Sequence, residues 1–135
     1  MKPYEFLPHT ADTKIRAYGK TLEEAFVNSA IATVKTITES KIAQTTEREI
    51  QVTSENKEAL LYDFLEELFI LLDSEDFLLG EVKDLKIDGL KLTATFVGDI
   101  GSDKYEIRTH VKAVTYQEMF IKEEDIVTIQ FVLDL

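Results

Sequence analysis

Of 135 residues, 26 are acidic and 15 basic, a formal charge of 15 − 26 = −11; a field of that sign repels phosphate backbones, which argues against unaided nucleic-acid binding and favours cations and basic protein surfaces. The absence of cysteine removes disulfides, thiolate metal sites and cysteine nucleophiles. The length suits one domain, and 44% hydrophobic residues are ordinary for a globular core. Met1-Lys2-Pro3-Tyr4-Glu5 lacks the apolar stretch of a signal peptide. The longest apolar run, Ala59 to Leu72, is broken by Asp63, Glu66 and Glu67, short of the ~20 residues of a membrane span. A soluble, cytoplasmic protein with no membrane partner is expected.

In chain order, Lys14 to Tyr18 alternates polar and apolar residues and predicts a half-buried strand. Thr21-Leu22-Glu23-Glu24 is a capping box, in which the Thr21 hydroxyl accepts from the Glu24 amide and the Glu24 carboxylate reaches back. The stripe Leu22, Ala25, Phe26, Ser29, Ala30, Thr33, Val34 and Ile37 then predicts a helix over 22–37. Glu49 to Thr53 alternates as a second strand. Ser54 or Asn56 can cap a second helix reaching Asp73, with Leu61, Phe64, Leu65, Leu68 and Leu72 inward and Asp63, Glu66 and Glu67 opposite.

Asp88-Gly89 predicts a type I′ hairpin that sets Ile87 opposite Leu90 and Leu85 opposite Leu92. Gly98 to Thr109 reads as a mobile loop, Val111 to Thr115 as a strand, and Met119 to Ile121 as a short strand after a turn at Gln117-Glu118. Ile126 to Leu133 is the last strand. The order β-α-β-α followed by strands argues α+β: a mostly antiparallel sheet with two amphipathic helices packed on it, in a single domain.

Charged side chains near the two ends of the sequence are the candidates for chemistry. In the last strand Val127, Ile129, Phe131 and Leu133 share one face, and Thr128, Gln130, Val132 and Asp134 share a mixed face aimed away from the main core. From spacing alone, Asp134 is a solvated strand end by default. Asp12 closes His9-Thr10-Ala11-Asp12, where a loop acid or Asx turn is the ordinary reading. If the two ends meet, Asp12, Asp134 and an oxygen of Leu135 would offer hard ligands to a divalent cation. His9 is a candidate for supporting that site, though a lone histidine is more often a plain hydrogen-bonding residue. His110 is no stronger. Lys112, alternating with Val114 and Tyr116, is expected to be half-covered and is a candidate partner contact. The acids Asp63, Glu66 and Glu67 form a solvated helix face or, more sharply, a docking face for a basic partner. Gly98 and Gly101 lack the lysine and helix start of a phosphate loop.

Several of these stretches, in this order, resemble the archease family: Tyr4 to Asp12, Ala17 to Phe26, Glu58 to Leu68, Val111 to Tyr116, and Phe131 to Leu135. The resemblance implies an accessory protein of the GTP-dependent tRNA-splicing RNA ligase. Such a protein promotes guanylylation of the ligase and its multiple turnover, and its effect extends to the nucleotides the ligase accepts. It further implies a bound divalent cation, Ca²⁺ first and Mg²⁺ or Mn²⁺ as alternatives, held by Asp12, Asp134 and the backbone oxygen of Leu135. One departure stands out: the family usually carries histidine after Val-Thr-Tyr, where this chain has Gln117. Thr13 and Lys14 are also atypical after the tetrad.

Two rival readings are a metal-dependent phosphoester hydrolase on the same aspartates and a general chaperone. The first needs a base and an anion-stabilising group, for which only His9 and Lys112 are at hand. The second needs an exposed apolar patch, and the sequence shows no surplus of unassigned apolar residues.

Overall fold

The Thr21 cap opens the first helix where the capping box puts it. In the computed structural model, which describes residues 1–9 and 11–135, the Thr21 hydroxyl accepts from the Glu24 amide at 3.1 Å. The helix, α1, runs Leu22–Ile37 and buries Ala25, Phe26, Ala30 and Val34. Asn56 caps α2, Lys57–Glu75, by accepting from the Ala59 amide at 2.8 Å. That helix ends on Asp76 in the left-handed conformation, φ 56°. It buries Leu60 and Leu71 as well as Leu61, Phe64, Leu65 and Leu68, whereas the expected Leu72 is only half-buried.

The strands are β1 Tyr4–Leu7, β2 Thr13–Gly19, β3 Thr46–Thr53, β4 Phe77–Asp88, β5 Lys91–Ile100, β6 Ala113–Glu123 and β7 Val127–Asp134. They form two sheets, β1-β2-β7-β6 and β3-β5-β4, in which every pairing is antiparallel. The α+β class stands, with the sheet divided in two. The edge strand β1 carries no alternation long enough to read from sequence.

Three local expectations are corrected. The hairpin turn is Gly89-Leu90, because Asp88 pairs with Lys91 and Ile87 with Leu92. Gly89 alone of the two central residues has positive φ, 62°, as in a type II′ turn, which takes glycine at its first central position. Leu90 is therefore in the turn and 37% exposed. Apolar residues of β4 still face inward because a bulge at Asp84, φ 52°, shifts the inward set from Val82, opposite Phe96, to Ile87, opposite Leu92.

Second, Gly98 to Ile100 belong to β5 rather than to a loop. A Cβ on Gly98 would lie 1.9 Å from the Leu78 carbonyl oxygen, so glycine is what lets β4 and β5 approach there. The following stretch, expected to be mobile, is pinned. Asp99, 5% exposed, accepts from the Thr45 and Tyr105 hydroxyls at 2.6 Å each, and the Arg108 amide donates to the Ile37 carbonyl at 2.8 Å. Third, the two strands expected on either side of Gln117-Glu118 are one, spanning residues 113–123. β6 is one strand with a break in register between Thr115 and Phe120, where Glu118 takes φ 56°.

The core is where the layers meet. Phe26 of α1, Phe64 of α2 and Phe96 of β5 are all fully buried. Their rings contact in series, with centroids 5.7 Å and 5.6 Å apart. Ile15, Ile129, Phe131 and Leu133 of the other sheet join the same cluster. Truncating the middle ring, Phe64→Ala, removes contacts to both neighbours and is expected to destabilise the fold by about 3–5 kcal/mol, read by urea unfolding.

The Thr45 and Tyr105 hydroxyls, with Lys104 adding a smaller effect, hold the Asp99 carboxyl down to about 2. A depressed folded pKa means that its stabilisation is complete above the ordinary value of 3.8 and is lost as the pH falls through about 2. Asp99→Asn should lower the melting temperature at neutral pH, and its difference from wild type should shrink over that acid window.

Candidate functional site

The seven-pair ladder between β2 and β7 runs from Gly19 opposite Val127 to Thr13 opposite Leu133. Asp12 and Asp134 are the next residues on these two neighbouring strands. Adjacent strands lie about 4.8 Å apart, so the two aspartates come to one end of the sheet. Both are half-buried, as is Leu135. Among the described residues neither carboxylate takes part in a hydrogen bond or ion pair. The backbone of this end is fixed: the Lys112 amide donates to the Asp134 carbonyl at 2.7 Å, and Ala113 pairs with Asp134.

The turn joining β1 to β2 carries His9 and Asp12, with Ala11 at φ 66°. Thr10, of the same tetrad, lies outside the described residues. His9 does not float in solvent: its side chain is 14% exposed, and Nε2 meets Glu118 Oε2 at 3.0 Å. The other carboxylate oxygen of Glu118 accepts from Lys14 Nζ at 3.0 Å. Its main-chain oxygen accepts from Gln130 Nε2 at 2.8 Å, and Gln130 Oε1 accepts from Arg16 Nε at 2.8 Å. Glu118 thereby ties β6 to the β1–β2 turn and to β7. Lys14, then His9, holds its carboxyl below the usual glutamate range. His9 Nδ1 is buried with no partner among the described residues. A hollow of about 380 Å³ opens beside it, between Pro8, His9 and Asp12 on one side and Arg108 on the other. That arginine is already bonded to the Lys35 carbonyl at 2.7 Å and lies 3.3 Å from Glu39.

Other expectations are placed differently. Asp134 is half-buried rather than solvated, and its neighbours on the mixed face of β7 are covered, Gln130 5% and Val132 0% exposed. Lys112 precedes β6 and is exposed, not half-covered; what it brings to this end is its backbone amide. His110 is exposed. Glu118 was not singled out from sequence at all, since an acid beside a turn signal looks like any solvated residue. Among the described residues no three His, Asp or Glu side chains are grouped as a metal site. A cation at this end would draw on the two aspartates, main-chain or terminal oxygens, and water.

A small α+β protein with two helices on two antiparallel sheets, and with an acidic end built where β2 meets β7, is the class so defined. The Archease protein family matches residues 4–135. Protein archease of Methanothermobacter thermautotrophicus is 41% identical over 140 residues, covering 100% of each chain. That of Thermococcus kodakarensis is 41% identical over 128 residues, covering 91% of this chain and 90% of its own. The solution structure of Methanobacterium thermoautotrophicum protein 1598 superposes with a TM-score of 0.87 at 39% identity, covering 100% of both chains. A crystal structure of an archease, possible chaperone, from Thermotoga maritima shares the fold, with a TM-score of 0.66 at 21% identity over 96% of this chain and 94% of that one. The chain belongs to the archease family.

Removing the Glu118 side chain should loosen the turn more than the fold. Glu118→Ala is expected to speed amide exchange at residues 11–14 with little change in melting temperature, because exposed ion pairs contribute little. A depressed carboxyl pKa stabilises at neutral pH and ceases to as acid protonates it, so the exchange difference from wild type should fade in acid. Unchanged exchange at neutral pH would show that the backbone alone holds the turn.

Proposed function

We propose that this protein is a non-catalytic activator of a GTP-dependent tRNA-splicing RNA ligase. In this reading it promotes guanylylation of the ligase and its multiple turnover, with an effect on which nucleoside triphosphate the ligase accepts. Asp12, Asp134 and a backbone oxygen of Leu135 would hold a divalent cation, Ca²⁺ first and Mg²⁺ or Mn²⁺ as alternatives. Family membership supports the first part. The observation that carries the second is that Asp12 and Asp134 come next after the last pair of the β2–β7 ladder, with no basic side chain paired to either among the described residues.

Two half-buried carboxylates brought to one end of the sheet offer the hard oxygens that a divalent cation of this kind takes, at about 2.3–2.6 Å. Nearby Lys14 is engaged by Glu118 and Arg108 by Lys35 and Glu39, so neither is free to pair with them. A cation held there would supply positive charge at the acidic end of a −11 protein. The rest of the acidic surface suits a ligase whose RNA-holding cleft must be basic. Glu118 and His9 orient the turn that carries Asp12.

The test is single-turnover guanylylation of the cognate ligase with and without this protein, alongside calorimetric titration of Ca²⁺ into the protein alone. Wild type should accelerate guanylylation. Asp12→Ala and Asp134→Ala should each lose both the stimulation and the Ca²⁺ signal while keeping the circular dichroism of wild type. No acceleration by wild type would sink the activator reading. An Asp134→Ala protein that stimulates normally would sink the role of the cation.

A further inference from the structure

We propose that Tyr62 and Glu66 of α2, together with Tyr116 of β6, form a docking surface for an arginine-bearing basic segment of a partner protein. The two tyrosine rings stack in parallel, with centroids 4.5 Å apart and planes 10° from coplanar. Tyr116 nevertheless remains 54% exposed. It comes directly after Thr115, the last β6 residue paired with β7 before the break in register, so it follows the point where the ladder lets go. An exposed tyrosine backed by a second one is a preformed flat platform.

Carboxylates flank the platform on α2, Asp63 next to Tyr62 in the chain and Glu66 one helical turn on. Burial, then the charges of Asp63, Glu66 and Glu55 together with the neighbouring Tyr62, push the Tyr116 hydroxyl above its usual range. Asp63 accepts the Ser54 hydroxyl at 2.6 Å. Among the described residues no basic side chain pairs with Glu55, Asp63 or Glu66. A flat aromatic face beside unneutralised carboxylates suits a guanidinium, which is planar, stacks on aromatic rings and pairs with carboxylate through a rigid fork. Lysine matches the charge but not the plane.

The surface continues along α2. Tyr62, Glu66, Ile70 and Asp73 follow at spacings of four, four and three, which align them on one side of the helix. Ile70 is 48% exposed. A hollow of about 220 Å³ lies between Glu66, Phe69, Ile70 and Asp73 on the helix and Lys112 and Val114 at the start of β6, room for an apolar neighbour of the arginine beside Phe69 and Ile70; Lys112 shares this hollow but pairs with none of its acids among the described residues.

Charge selects the occupant. A second copy of this chain would bring another −11 and the same acids to a two-fold contact, and RNA would bring phosphates to carboxylates. A basic protein segment meets no such opposition. The inference uses neither Asp12 nor Asp134 and stands apart from the cation reading.

Fluorescence anisotropy tests it with a labelled peptide carrying three arginines among glycines and leucines, and with its lysine and glutamate counterparts. The arginine peptide should bind wild type most tightly and weaken as salt rises. Tyr116→Ala and Glu66→Gln should each weaken it about five- to tenfold. Glu47→Gln, the same loss of charge on the exposed side of β3, should leave affinity unchanged. Circular dichroism should match wild type throughout. The proposal is overturned if the arginine peptide does not bind, or if Tyr116→Ala and Glu66→Gln bind as wild type does. It is also overturned if Glu47→Gln weakens binding as much as Glu66→Gln, or if light scattering shows a dimer that Tyr116→Ala dissolves.

Discussion

The pairing of β2 with β7 is the constraint on which the acidic end depends. It takes a strand from the start of the sequence and one from its end and locks them side by side over seven residue pairs. Register does the positioning. With Ile15 opposite Phe131 and Ala17 opposite Ile129, the apolar side chains face the core, and a slip of one residue would turn them outward. The same register that satisfies the core leaves Asp12 and Asp134 side by side at the end of the ladder. Placing the two acids therefore needs no interaction of their own.

Around that ladder the two sheets divide the work. The β3-β5-β4 sheet gives α2 and the Phe26–Phe64–Phe96 series a floor, while the β1-β2-β7-β6 sheet carries the acidic end and the bonds of Glu118. Glu118 connects three parts of the second sheet with one side chain and one carbonyl: the β1–β2 turn through His9, β2 through Lys14 and β7 through Gln130. It does so from a left-handed backbone conformation that a non-glycine residue rarely adopts, held by these bonds from several directions. Beside it Gln117 is exposed, and Glu118 makes the contacts.

Local signals were legible and non-local ones were not. The capping box and its stripe marked both ends of α1, and the choice of Ser54 or Asn56 bracketed the start of α2, which Asn56 caps, because caps and helical spacing lie within a few residues of one another. The hairpin after β4 was visible as Asp-Gly, but its register was one residue out. Glycine serves either at the second centre of one turn or at the first centre of the other, and only the pairing of Asp88 with Lys91 decides. The turn signal at Gln117-Glu118 was real as a left-handed residue and misleading as a boundary between two strands, since β6 continues beyond it along β7. For the acidic end, alternation assigned Asp134 to the face away from the main core. That Asp12 would stand beside the neighbouring strand rests on contacts more than a hundred residues apart, so the residues posed it only as a condition and the family resemblance favoured it. Glu118 gave no sign because nothing local distinguishes a clamp from a solvated acid.

The ladder also fixes when the acidic end can exist. The β4–β5 hairpin and both helices close over short stretches of chain, whereas pairing Thr13 with Leu133 closes 133 − 13 = 120 residues, and such closures carry the larger entropy cost. A chain that has formed its helices and its hairpin, but not yet seated β7 between β2 and β6, holds much of its secondary structure and none of this end. Asp12 and Asp134 are then unrelated acids at opposite extremes of a flexible polymer. Any partner that reads the two together reads, in effect, that the last strand has gone in.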